Sequence, residues 1–100
     1  MATTLLGNLQ ALDAISINTV SESSAIAVPQ HAMVMTISAD QVLQVRLAAS
    51  GNVFANVAPR TAAHSYELDV SSLWGKNIYL YNPTGSTAAV VVGFKLRRAV

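Results

Sequence analysis

The feature that most limits how this chain can fold is an alternation of period two that runs almost from end to end. Ile15 and Ile17 stand on one side of the stretch 12–20, with Ser16 and Asn18 on the other. In 31–38, Met33, Met35 and Ile37 oppose Val34, Thr36 and Ser38. In 41–48, Leu43, Val45 and Leu47 turn inward while Gln44 and Arg46 face water. Ala62, His64, Tyr66, Leu68 and Val70 alternate with Ala63, Ser65, Glu67 and Asp69. Near the end, Val90, Val92, Phe94 and Leu96 oppose Val91, Gly93, Lys95 and Arg97. A period of two puts successive side chains on opposite faces of a strand. The runs are separated by breakers: Ser21-Glu22-Ser23-Ser24, Pro29, Ser50-Gly51-Asn52, Pro59 and Asn82-Pro83-Thr84-Gly85-Ser86. About seven or eight short strands, with turn signals roughly every 8–12 residues, predict an antiparallel all-β sandwich or small barrel.

One hundred residues hold one core and, by the usual scaling, bury about two thirds of the open chain's surface. The sandwich is assigned to 13–100. Residues 1–12 form an N-terminal arm or a short helix, since Leu5, Leu9 and Leu12 recur near the helical period while Gly7 weakens it. Those leucines need a partner, inside the fold or on a neighbouring subunit.

Charge bears on partners. Only 11% of residues are charged and 52% are hydrophobic, under half the usual charged share. Charge keeps surfaces soluble and patch-free, so a chain this poor in it is expected to cover part of its surface with copies of itself or a larger assembly. The run Ala88–Val92 is apolar on both faces, although only one can meet the core of a two-layer fold. Ala89 and Val91 are therefore expected to meet another subunit, with Gly93 allowing a close approach. A net charge of +1 provides no field for nucleic acid or an anionic membrane. The basic cluster Lys95, Arg97 and Arg98 reads as a solubilising strand end. No apolar run is long enough to span a bilayer. Residues 1–12 lack a basic start and a continuous apolar core, so no signal peptide is expected, and the protein is expected to be made and kept in the cytoplasm unless carried out inside something larger.

The residues offer little to catalysis. His31 and His64 stand apart from any serine arrangement, and there is no G-x-S-x-G. Asp13, Glu22, Asp40, Glu67 and Asp69 are scattered, with Glu67 and Asp69 alone on a shared face and expected to be solvated. Cysteine is absent, and there is no glycine-rich phosphate loop. No enzyme, metal or cofactor is expected.

The stretch LDVSSLWGKNIYLYN, 68–82, carries the clearest local information. Ser71-Ser72-Leu73-Trp74-Gly75-Lys76 is too long for a two-residue hairpin and too apolar for a free loop. Leu73 and Trp74 must be partly buried, and Gly75 can take positive φ. A corner that carries the chain from one sheet to the other fits this. If Ile78 and Leu80 fill the core, Tyr79 and Tyr81 face outward, near Trp74, as rings able to stack on a sugar or anchor a protein.

Glu67-Leu68-Asp69-Val70, Leu73, Gly75-Lys76 and Ile78-Tyr79-Leu80, followed by a turn and a final strand, resemble the C-terminal half of jelly-roll sandwiches, including carbohydrate-binding modules with a galactose-binding-like fold. The arm, then SSAIAV, LQVRLAASGNV and a terminal apolar strand ending in arginines, is similar in style to accessory virion proteins of tailed bacteriophages, such as capsid decoration, neck and tail proteins. The second resemblance implies a structural virion protein that self-associates, as a trimer or another ring, and contacts other virion proteins. Its copies would meet through Leu5, Leu9, Ala89 and Val91, and the particle through Tyr79 and Tyr81 or Arg97 and Arg98. The alternative is a carbohydrate-binding module stacking a glycan on Trp74, Tyr79 and Tyr81.

Overall fold

The computed structural model describes residues 13–61 and 64–96. Nine strand segments follow one another: β1 (Asp13–Ile17), β2 (Ser21–Glu22), β3 (Ile26–Ala27), β4 (Ala32–Ala39), β5 (Leu43–Arg46), β6 (Val53–Val57), β7 (Tyr66–Asp69), β8 (Asn77–Asn82) and β9 (Ala88–Leu96). They form two antiparallel sheets, one ordered β1-β9-β4-β7 and the other β2-β8-β5-β6, with β3 also pairing β8. The segments β2 and β3 are two pieces of one edge, both laid against β8.

The pairing is nested. β1 pairs β9, β2 and β3 pair β8, β4 pairs β7, and β5 pairs β6. The chain is thus one long two-stranded ribbon folded on itself, joined across by β4 with β9 in one sheet and β5 with β8 in the other. This is the jelly-roll form of the β-sandwich.

Alternation builds the core. Ile17, Met35, Ile37, Val90 and Val92 from the first sheet meet Leu43, Val45, Val57, Ile78 and Leu80 from the second, all essentially buried. The corner lies where the sequence places it: β7 belongs to one sheet, β8 to the other, and Gly75 between them has φ +78°. The hairpin at Ser50-Gly51 is also as expected, with the Gly51 N–H donating to the Ala48 carbonyl at 2.9 Å.

Three expectations need correction, those for Met33, Leu47 and His64. Met33 is exposed rather than inward, because the register with β9 shifts between Ala32 and Val34, so Ala32 takes the buried place. Leu47 is exposed, since β5 ends at Arg46 after its own register shift. His64 lies in a turn, its N–H bonded to the Thr61 carbonyl, and the strand begins only at Tyr66. Thr36 and Ser38, on the face away from the core, are buried all the same. Thr36 stands between Gly93 and Glu67 across the strands, and Ser38 lies beside the 59–61 segment that bridges to Ala39.

Candidate functional site

The outer face of the second sheet is built on β8. Ile78, Leu80 and Asn82 are fully buried, leaving Tyr79 and Tyr81 on the opposite face, half-buried. The register sets Glu22, Tyr81, Gln44 and Asn56 in one row across the sheet, with Tyr79 and Arg46 in the next. Arg46 organises this face. Its Nη1 donates to Glu22 Oε2 at 3.3 Å, its Nη2 to Gln44 Oε1 at 3.0 Å, and its guanidinium carbon lies 4.1 Å from the centroid of the Tyr81 ring. Glu22 is held from the other side by the backbone N–H of Ser50, at 3.0 Å to Oε2. The ion pair is thus braced by the β5–β6 turn and largely shielded, with the two side chains 17% and 20% exposed. Gln44 and Arg46 do not simply face water, as the alternation implied.

A bulge extends the face. Arg46 pairs with Val53 and Val45 with Ala55, so Phe54 is an extra residue on β6. Ala55 packs toward the core, so Val53 and Phe54 both stand outward, 43% and 51% exposed. Tyrosine, arginine and phenylalanine are the residue types that concentrate at protein interfaces.

The outer face of the first sheet has a different character. Its middle is small and uncharged: Ala14 and Ser16 on β1, Ala89, Val91 and Gly93 on β9, Thr36 and Ser38 on β4. Charge appears toward β7, where Lys95 of β9 reaches over β4 to pair with Glu67. Glu67 is therefore partnered rather than simply solvated. At the other end, Ala89 and Val91 border a shallow depression of about 440 Å³ with Ser38, Asp40, Pro59 and Arg60. Asp40 Oδ1 accepts the Ala89 N–H at 2.9 Å, which fixes that rim.

Trp74 belongs to neither face. Its Nε1 donates to the Ala32 carbonyl at 2.6 Å, its ring lies 5.1 Å from that of His31 at a tilt of 59°, and it packs against the core. The Val28 N–H donates to the Lys76 carbonyl and the Gly75 N–H to that of Val28, clamping the corner. Trp74 plugs the end of the sandwich, while Tyr79 and Tyr81 stand on the outside of β8. The three rings do not make one platform.

No family model, curated protein or solved structure matches this chain. The geometry is the guide to function.

Of the residues singled out by sequence, Tyr79, Tyr81, Ala89 and Val91 lie on outward faces, whereas Leu5, Leu9, Arg97 and Arg98 lie outside the described residues. Arg46, Glu22 and Phe54 were not singled out. The alternation does mark Arg46 as outward, but its meeting with Tyr81 depends on β5 lying beside β8. Among the described residues, no three His, Asp or Glu side chains gather as metal ligands would.

Proposed function

We propose that this protein is a structural component that self-associates and decorates, stabilises or joins parts of a larger particle, a tailed-phage virion being the setting its sequence style suggests. The observation that carries this reading is the outer face of the first sheet, where Ala14 and Ser16 on β1 and Ala89 and Val91 on the longest strand, β9, make an uncharged surface with small side chains. Small residues let a second sheet approach at the roughly 10 Å spacing of packed layers. The low overall charge supports the same reading. The second outer face, with Tyr79, Tyr81, Arg46 and Phe54, then remains for a different protein surface.

The carbohydrate reading draws less support. Trp74 is committed to the core and to Ala32, and Arg46 covers one face of Tyr81. A sugar-stacking platform needs open ring faces.

The self-association is tested by absolute mass in solution over a hundredfold range of concentration, for the natural chain and for Val91→Glu. A discrete oligomer that falls to monomer in the variant, with its melting temperature preserved, is expected. An unchanged mass in Val91→Glu would remove the first sheet from the interface. The particle assignment is tested separately, by immunogold labelling of particles purified from a lysate whose phage genome encodes the chain. Bare particles would end it.

A further inference from the structure

The strand β9 outruns its neighbour on one side. Among the described residues, β1 pairs with β9 only from Asp13 opposite Val92 to Ile17 opposite Ala88. On its other side β9 pairs with β4 as far as Ala32 opposite Leu96. Of the described strands, β4 alone therefore holds Gly93, Phe94, Lys95 and Leu96, yet Gly93 and Phe94 are buried. Residues along a strand turn their N–H and C=O groups alternately to its two sides, so this stretch has polar groups on the β1 side that call for a partner. Beside it runs a groove of about 810 Å³ between the β1 and β3 edges of the two sheets, with Ile15, Ile26, Pro29, Val92 and Phe94 among its lining.

The register already set leads into the residues that precede β1. One step back along β1 is one step on along β9. Leu12 then comes opposite Gly93, Ala11 opposite Phe94, Gln10 opposite Lys95 and Leu9 opposite Leu96. Each pair suits its place. Leu9 and Ala11 take the core-side parity of Ile15 and Ile17, where alanine meets the large buried ring of Phe94 and leucine meets leucine. Gln10 and Leu12 take the outer side, with Gln10 beside a lysine and Leu12 opposite the residue that has no side chain. Matched cross-strand pairs and a consistent apolar face are what select a register. Asp13 shares the core-side parity, and an inward-pointing charge is one of the devices that keep an edge strand from pairing further.

We propose that residues 9–12 prolong β1 along β9, so that Leu9 and Ala11 of the same chain close the Phe94 end of the groove. Continuity selects this occupant. Residue 12 is joined to Asp13, which is already in register, and needs no turn to go on. Residues 97–100 are only four, and a hairpin back along β9 would use two of them in its turn. A second copy would have to displace the continuation of β1. Leu9 is then a core residue rather than a subunit contact, which leaves residues 1–8, with Leu5, as the arm. The inference is independent of the self-association proposed above.

The natural full-length chain serves for the test. In nuclear Overhauser spectra of isotope-labelled protein, backbone protons of Gln10 are expected to contact those of Lys95, and those of Leu12 to contact those of Gly93. A mixture of labelled and unlabelled chains, filtered for contacts between chains, should show neither pair. Leu9→Asp should lower the urea midpoint by about 1 M, while Leu5→Asp, beyond the ladder, should leave it unchanged. Spectra of the natural chain decide the register even if Leu9→Asp fails to fold. Residues 93–96 touching 97–100, or touching none of 9–12, would overturn the proposal. Contacts seen only between chains would overturn it in favour of a second copy. A midpoint unchanged in Leu9→Asp would take Leu9 out of the groove.

Discussion

The guanidinium of Arg46 lies over the ring of Tyr81, 4.1 Å from its centroid, while the same group binds Glu22 on the far side of that strand. Three strands, β2, β8 and β5, are tied by this one side chain. Arg46→Ala is expected to lower stability by about 1–2 kcal/mol, from the lost cation–π contact, the shielded ion pair and the packing of the stem. Arg46→Lys should recover only part of it, since an ammonium cannot fork to Glu22 and Gln44 at once. Urea unfolding checks both. A loss in Arg46→Lys smaller than that in Arg46→Ala but not zero would support the geometry, and no loss in either would refute it.

Trp74 closes the end of the core through its indole nitrogen. Trp74→Phe keeps most of the ring but removes the indole donor from the Ala32 carbonyl, and should cost about 1–2 kcal/mol. Trp74→Ala should cost about 3 kcal/mol or more. The ratio of the two losses, read from denaturant midpoints, separates the hydrogen bond from the packing.

Asn82 is fully buried and fully used. Its Nδ2 donates to the carbonyls of Ile17, Asn18 and Ser86, and its Oδ1 accepts from the N–H and hydroxyl of Thr84. It ties the end of β1 to the β8–β9 turn. Asn82→Ala is expected to cost about 2–3 kcal/mol by leaving those groups unpaired. Asn82→Asp, although nearly the same shape, should be worse near neutral pH, because a carboxylate would face three carbonyl oxygens. If the aspartate variant melted above the alanine variant at pH 7, the side-chain amide would not be acting as the donor.

Val20 stands at φ 47° and is 62% exposed. A β-branched residue in the left-handed region costs roughly 1–2 kcal/mol, and little packing compensates it here. Val20→Gly is therefore expected to stabilise, by about 1 kcal/mol or somewhat less once the freer unfolded chain is counted. A rise in melting temperature of a few degrees, roughly 4–8 °C per kcal/mol in a domain of this size, is the readout. A fall would mean that the Val20 side chain makes a contact worth more than its strain.

Asp69 opens the corner by accepting from Ser71, through the backbone N–H at 2.9 Å and the hydroxyl at 2.7 Å. The backbone bond first, then the hydroxyl, hold its carboxyl below the ordinary value of 3.8. Because the folded value is depressed, the stabilisation is complete above the unfolded value and is lost as pH falls through the folded one. Asp69→Asn should melt below the natural chain at pH 7, with the gap closing below about pH 4. A gap independent of pH would place the effect elsewhere.

Much of the sandwich is legible in the chain. Ile78 and Leu80 against Tyr79 and Tyr81, or Leu43 and Val45 against Gln44 and Arg46, fix their faces by alternation alone, because a strand has only two sides. Gly75 is legible for a similar reason: a turn needing positive φ favours the residue without a Cβ. Alternation fails where the ladder slips, and Met33 and Phe54 both sit at such slips. A bulge changes the phase by one residue, and no local signal in the sequence announces it.

Local sequence set most of the strand segments, the apolar face of those without a bulge, the main turns and a surface short of charge. These follow from backbone sterics and the hydrophobic effect, which act over a few neighbouring residues. It is the tertiary structure that sets β5 beside β8, so that Arg46 covers Tyr81, and that turns Trp74 into the end of the core rather than toward the tyrosines. Those outcomes depend on how a folded ribbon pairs with itself over long separations, 42 residues between Ala32 and Trp74 and 65 between Ile17 and Asn82, and a strand's own alternation carries no record of its neighbour.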